Sequence, residues 1–180
     1  KPEMTYSWEV GTNLQFFNNR LELDATYYTA KTENQLMSVE LSSATGYNNR
    51  QYNAGAVENS GFEVQVNGTA IDNADGLSWD VTLNWSRNNS KVLSLSEGKE
   101  FLRLKGVPMD YAFVEVRPGE PYGQLYGYDY ARNENGDILV DNTGYPMASE
   151  DLIAQGNINP DFMAGISNTF NYKNFNLSFL

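Results

Sequence analysis

The chain has 180 residues and a formal net charge of −11, with 12 Lys and Arg against 23 Asp and Glu. Its cations form no cluster, which argues against a nucleic-acid binder, because neutralising phosphates needs Lys and Arg grouped on one face. It has no Cys and no His, so disulfides, thiolate metal sites and the commonest general base are excluded as well.

The first predicted strand runs from Ser7 to Phe17. Trp8, Val10, Leu14 and Phe16 fall on one face, with Ser7, Glu9, Gly11, Asn13 and Gln15 on the other. This period of two marks a half-buried strand. Asn18-Asn19 supplies a tight turn, since Asn tolerates the positive φ of hairpin turns. The second strand, Leu21 to about Thr32, sets Leu23, Ala25 and Tyr27 against Glu22, Asp24, Thr26 and Tyr28. Its length matches the roughly 9–11 residues of a tilted strand crossing a bilayer. Residues 34–58 lose the alternation and gather Ser, Asn, Gly and Tyr, which predicts a long loop.

The third strand, Gly61 to Ala70, alternates Phe62, Val64 and Val66 with Glu63, Gln65 and Asn67. A turn over Ile71–Gly76 leads into the fourth, Leu77 to about Arg87. There Trp79, Val81, Leu83 and Trp85 alternate with Asp80, Thr82, Asn84 and Ser86. Residues 88–160 read as a very long connection with a small hairpin at Asn135-Gly136. A fifth strand follows from about Phe162 to Tyr172. Lys173-Asn174 then turns the chain into a sixth, begun by Phe175, Leu177 and Phe179.

The architecture is all-β. No apolar run approaches the ~18 residues of a membrane helix, but a barrel strand is apolar only at every second position. Two forms fit the alternation: a soluble sandwich with one wet face, or a transmembrane antiparallel β-barrel with a wet lumen and a lipid-facing outside. Connection lengths favour the barrel. They read short, long, short, very long, short, as in outer-membrane barrels with short turns at one end and long loops at the other. The 12 Tyr, 9 Phe and 3 Trp suit interfacial girdles. Trp8 and Trp79 lie at opposite ends of their strands, although Trp85 falls nearer the middle. About six strands cannot close a barrel, whose common minimum is ~8. The chain also begins at Lys1-Pro2-Glu3 and stops inside an alternating strand, so a stretch of a longer polypeptide is expected.

Several segments carry a more specific signal. Lys1-Pro2-Glu3 leads into Trp8-Glu9-Val10-Gly11, and Asn19-Arg20 precedes Asp24-Ala25-Thr26-Tyr27-Tyr28. Asn53-Ala54-Gly55 precedes Asn59-Ser60-Gly61-Phe62-Glu63. Gly119-Glu120-Pro121-Tyr122-Gly123 precedes Tyr126-Gly127-Tyr128, and Asn159-Pro160-Asp161-Phe162 precedes Tyr172-Lys173-Asn174-Phe175. In order and spacing these resemble the barrels of SusC/RagA-type TonB-dependent outer-membrane transporters of Bacteroidetes-type bacteria. The resemblance implies one barrel domain over residues 1–180, as about six strands of a plugged barrel of about 22. It implies extracellular loops near 34–58 and 88–160, and a multi-pass protein of the bacterial outer membrane. It further implies import of an oligosaccharide or oligopeptide, a SusD-like surface lipoprotein as lid, energy relayed through TonB, and the pairing, frequent in the family, of two transporter–lipoprotein units into a dimer. The plug and the TonB-contacting region lie outside this chain.

On this reading Glu9, Glu22, Asp24, Glu63 and Asp80 face the lumen, and the apolar positions meet lipid. Tyr47, Tyr52, Tyr122, Tyr126, Tyr128 and Asp129 are candidates to face ligand or partner. Their tyrosines could stack on sugar rings or hold a peptide, but loop packing with one hydrogen bond each is the commoner use. Asn133, Asn135, Asp137 and Asp141 form an incomplete calcium loop, lacking the terminal bidentate Glu, and a hairpin turn explains them better. The carboxylate pairs Glu22/Asp24 and Glu120/Asp129 are better explained as parts of polar faces than as a glycosidase pair. No catalysis, metal or cofactor is expected. The second reading is a soluble glycan-binding β-sandwich, in which Val10, Leu14, Leu23, Val64, Val81 and Leu83 would meet a protein core.

Overall fold

The computed structural model describes residues 1–40, 43–47, 49–73, 75–106 and 111–180. The remaining positions fall in the predicted stretches 34–58 and 88–160 and, at Ala74, in the predicted turn Ile71–Gly76. They lie outside the described residues. The described chain is all-β. A sheet of six strands has the order β1-β2-β3-β4-β9-β10, and a second sheet of four has the order β5-β6-β7-β8. The strands are β1 (Met4–Phe16), β2 (Leu21–Glu40), β3 (Asn49–Ile71), β4 (Leu77–Leu95), β5 (Leu102–Gly106), β6 (Ala112–Val116), β7 (Gln124–Gly127), β8 (Ile153–Asn157), β9 (Met163–Tyr172) and β10 (Phe175–Phe179).

Two compact units divide the chain. One comprises Lys1–Met4, Thr32–Glu58 and Ser90–Asn159; the other comprises Thr5–Lys31, Asn59–Asn89 and Pro160–Leu180. The second unit is a single layer with regular alternation. Along β4 and β9, Leu77 pairs with Tyr172, Trp79 with Phe170, Leu83 with Ile166 and Trp85 with Ala164 on the apolar face. Asp80 pairs with Thr169, Thr82 with Ser167 and Asn84 with Gly165 on the polar face. β10 continues both faces, with Leu177 opposite Phe170 and Ser178 opposite Thr169. The tight turns carry positive φ at Phe17, Asn18 and Asn19 (55°, 54° and 66°) and at Lys173 (53°).

Close approach explains one motif in this unit. A Cβ on Gly61 would lie 2.5 Å from the Arg87 carbonyl oxygen and 2.6 Å from the Tyr28 hydroxyl. The Tyr28 ring covers the glycine and donates to Asn88 Oδ1 at 3.1 Å. An aromatic laid over a cross-strand glycine restores the packing the missing side chain forfeits.

The first unit holds the molecule's described apolar core: Met37, Ala54, Val57, Val92, Leu95, Leu102 and Val116, with Tyr52, Leu104 and Tyr122 packed on it. Here the structure departs from the predicted loops. Residues 34–40 and 49–58 are strand, carrying β2 and β3 well past the predicted ends, and the described part of their connection is a single 3₁₀ turn at Ser43–Thr45. The alternation fails at Asn34 because its φ is 54°, a left-handed residue inside a strand, which breaks side-chain phase as a bulge does. Asn53 Nδ2 donates to the Asn34 carbonyl oxygen at 2.6 Å and to the Lys1 carbonyl oxygen at 3.0 Å. Likewise β4 runs on to Leu95, and 88–160 contains β5 to β8 rather than open loop.

Candidate functional site: a polar sheet face and a ring of turns

The polar face of the six-stranded sheet is bound together by side chains across every strand gap. Asn13 on β1 donates to Glu22 Oε1 on β2 at 2.8 Å and to Asp24 Oδ2 at 3.4 Å. Asn67 on β3 donates to Glu22 Oε2 at 3.2 Å and accepts from Thr82 Oγ1 on β4 at 3.0 Å. Thr69 Oγ1 donates to Asp80 Oδ1 at 2.8 Å. Asn171 on β9 donates to Ser78 Oγ at 3.2 Å and accepts from Asn176 on β10 at 2.6 Å. Two of the sequence-predicted acids, Glu22 and Asp24, are therefore joined through Asn13 in one network, and a third, Asp80, is held separately by Thr69. Glu63 borders a shallow groove on the same face with Asp24, Gln65, Asn84 and Ser86. Glu9 is exposed on β1, which pairs on one side only.

The opposite face is uncovered within its unit. Val10 is 64 % exposed, Ile166 51 % and Leu177 61 %. Two groups of packed aromatics lie on it. Tyr27 stacks obliquely between Trp8 and Phe62 at centroid distances of 5.3 and 4.6 Å. Phe170 stacks between Trp79 and Phe179 at 5.3 and 6.0 Å. Trp79 lies two places from the start of β4, whereas Gly61, beside Phe62, abuts Arg87 further along it. At about 3.3 Å per residue the two groups are separated by roughly 26 Å along the strand.

In the first unit the central feature is Glu115, whose side chain is fully buried. Arg103 places Nε and Nη2 3.3 and 3.0 Å from Oε1, and Arg117 places Nε and Nη2 3.3 and 2.9 Å from Oε2. Each carboxylate oxygen thus receives a forked charge-assisted pair, the arrangement that compensates a buried charge. Arg103 lies over the Phe113 ring at 3.4 Å and Arg117 over the Tyr126 ring at 3.9 Å. The Tyr126 hydroxyl donates to the Glu120 carboxylate. Burial, and then that bond, push the Tyr126 phenol up to about 12. The turn before Tyr122 pairs with β4: Val92 N–H donates to the Glu120 carbonyl at 2.9 Å and Gly119 N–H to the Val92 carbonyl at 2.8 Å. The segment Arg117–Gly123 is thereby an anchor, tying the small sheet to the extension of β4.

The loop candidates differ in burial, and two of them, Tyr52 and Tyr122, pack on the same core. Tyr126 is buried, Tyr122 is half-buried against the core, and burial raises its phenol pKa. Tyr52 is half-buried, with Lys99 Nζ 5.5 Å above its ring, and Tyr47 is 72 % exposed. Tyr128 is exposed, and Asp129 is half-buried with its carboxylate accepting from the Tyr130 N–H at 2.7 Å. Sequence reasoning missed Arg103, Glu115 and Arg117. The one signal available was the spacing of Glu115 and Arg117, two apart at the end of β6.

Residues 129–149 form a closed ring containing two turns, with an eight-residue period. Leu139 N–H donates to the Ala131 carbonyl, Met147 N–H to Leu139, and Ala131 N–H to Met147, at 2.8, 2.9 and 2.8 Å. Ser149 N–H closes the ring on the Asp129 carbonyl at 2.7 Å. Bridges Arg132↔Ile138, Val140↔Pro146 and Tyr130↔Ala148 repeat the pattern. Two tips are capped alike. Asn133 Oδ1 accepts from the N–H of Asn135 and Asp137, both at 2.9 Å, and Asp141 Oδ1 from those of Thr143 and Tyr145 at 2.8 and 3.0 Å. Hydrogen bonds from the Thr143 hydroxyl and then the Tyr145 and Thr143 N–H groups hold the Asp141 carboxyl below its ordinary pKa. Of the residues weighed as calcium ligands, Asn133 and Asp141 each use Oδ1 on these turns, and Asp137 Oδ2 accepts from Asn133 Nδ2 at 3.1 Å.

Comparison with known proteins places this architecture. The family described as "TonB dependent receptor-like, beta-barrel" matches residues 1–179. TonB-dependent receptor P3 of Formosa agariphila is 30 % identical over 200 residues, covering 99 % of this chain and 20 % of that protein. TonB-dependent receptor SusC of Bacteroides thetaiotaomicron is 27 % identical over 200 residues, covering 99 % and 19 %. The solved RagAB peptide transporter superposes with a TM-score of 0.71 at 20 % identity, covering 98 % of this chain and 20 % of that one. The chain therefore spans about a fifth of the length of the relatives it matches. The all-β order, the open six-stranded sheet and the match along nearly the whole sequence agree: the chain belongs to the TonB-dependent receptor β-barrel family.

Proposed function

We propose that this chain is a stretch of the wall of a TonB-dependent transporter that imports a large nutrient, an oligosaccharide or an oligopeptide, across a bacterial outer membrane. The observation that carries the reading is the single-layered sheet with an uncovered apolar face and a hydrogen-bonded polar one. A soluble sandwich needs a second sheet over Val10 and Leu14, which are 64 % and 43 % exposed. A barrel turns them to lipid, with the two aromatic groups as girdles and the polar face toward a wet lumen. Glu9, Glu22, Asp24, Glu63 and Asp80 then face the lumen, and the extensions over 34–58 and 88–160 stand on the extracellular side. A SusD-like lipoprotein covers that side, and TonB supplies energy through parts of the protein beyond this chain.

The test uses the full-length protein in its native outer membrane. Two probes are offered, a tryptic casein digest and a mixture of maltooligosaccharides, with and without functional TonB. The expected result is TonB-dependent uptake of one probe class and a folded band that migrates faster on gels before boiling. A water-soluble protein without the heat shift would overturn the transporter and leave the glycan-binding module.

A further inference from the structure

The ring of turns over Asp129–Ser149 has no role in closing the sheet or in building the described core. Every residue from Arg132 to Ala148 is exposed. An exposed loop ordinarily turns its polar side chains outward, yet this one presents Tyr130, Ile138, Val140, Tyr145 and Met147 at 52, 42, 55, 72 and 46 % exposure. Their backbone is fixed by the ring and by the caps of Asn133 and Asp141. Large side chains on a preordered backbone lose little entropy on binding, which is how rigid aromatic anchors gain affinity.

The charge around these anchors is one-sided. Between Tyr128 and Asp151 the sequence carries the carboxylates Asp129, Glu134, Asp137, Asp141, Glu150 and Asp151 against one cation, Arg132. Arg132 is engaged within the ring, donating to the Gly136 carbonyl at 2.9 Å. An acidic, apolar projection is repelled by anionic lipid headgroups, and its outward-facing side chains do not form the concave site that a small ligand requires. It is suited to a recess.

We propose that the ring of turns is a docking knob for a protein partner whose surface offers an apolar recess rimmed by Lys and Arg. The proposal rests on the transporter reading for its location on the extracellular side. Tyr145 and Val140 enter the recess, and Glu134 and Glu150 meet its basic rim. Neither of these two carboxylates takes part in the bonds that close the ring, so their charge can be reversed without opening it.

Photo-cross-linking in the full-length transporter, in native outer membranes, tests this. Benzoylphenylalanine replaces Tyr145 in one variant and Leu177, on the apolar face of the sheet, in another. The expected adduct at position 145 is a second protein, joined through a peptide from a Lys- and Arg-rich surface. Glu134→Lys with Glu150→Lys is expected to cut its yield at least fivefold and to leave the heat-modifiable band unchanged. An adduct to lipid, to polysaccharide or to another copy of this chain overturns the knob, and so does a yield indifferent to charge reversal. Position 177 reports separately. Lipid adducts there uphold the barrel wall whatever happens at 145, and a protein adduct there overturns the transporter reading itself.

Discussion

Glu115 shows how one buried charge can organise a small sheet. Its carboxylate is fully covered, whereas the side chains of Arg103 and Arg117 keep 36 and 33 % of their surface exposed. Solvent therefore screens part of the attraction, and the full penalty of a broken buried pair does not apply. Glu115→Gln is expected to cost about 1–2 kcal/mol, since it leaves two guanidinium groups facing a neutral amide. Hydrogen exchange at Val114 and Val116 in the full-length protein is expected to accelerate about tenfold, as 1.4 kcal/mol is a tenfold change in an equilibrium. Tyr126 gives a pH dependence with a definite sign. Its phenol is raised from 10.0 to about 12, so the folded state favours the neutral form. The stabilisation is complete below pH 10 and is lost as pH rises toward 12. An ultraviolet titration of the wild type minus Tyr126→Phe is expected to show one phenol ionising well above the others; a difference curve centred near 10 would contradict the burial described.

At the scale of the strand, glycine positions separate close approach from open space. Gly61 faces the Arg87 carbonyl and the Tyr28 ring within 2.7 Å of any added Cβ, whereas the nearest atom at Gly68 is Leu21 Cδ1 at 3.7 Å. Gly61→Ala is expected to reduce the folded, heat-modifiable fraction of the full-length protein, and Gly68→Ala to leave it intact. Equal effects at both positions would overturn the packing account. The same strands show what the sequence made readable. From Leu21 to Thr32, from Gly61 to Ala70 and from Leu77 to Arg87 one face is apolar and the other polar, so period and phase are evident residue by residue. Beyond Asn34 the left-handed residue breaks the phase, and near Ala54 both neighbours matter more than hydropathy, because a Cβ on Gly55 would lie 2.1 Å from the Ser94 carbonyl oxygen. Strand there looks like loop. The acids of the polar face were legible through alternation. The Arg103–Glu115–Arg117 cluster was not, because Arg103 joins it from a separate strand and no local spacing reveals that pairing.

At the scale of the molecule, the two faces of the sheet make opposite demands. Leu83 and Asn84 are neighbours on β4 but belong to different faces. Leu83→Arg puts a charge on the apolar face about midway between the aromatic groups, where barrels lose about 2–4 kcal/mol. Asn84→Arg, beside the polar groove, is expected to keep stability within about 0.5 kcal/mol, the usual range for a surface change, while altering uptake of the transported probe. Urea titration of the heat-modifiable band distinguishes the two, and equal destabilisation would argue against a lipid-facing side. The ring of turns answers to a different logic. Its first and last residues, Asp129 and Ser149, are hydrogen-bonded to each other in both directions, at 2.7 Å from the Ser149 N–H and 3.1 Å to the Ser149 hydroxyl. A segment whose ends already meet can be removed, or moved to another host, without asking the surrounding chain to shift.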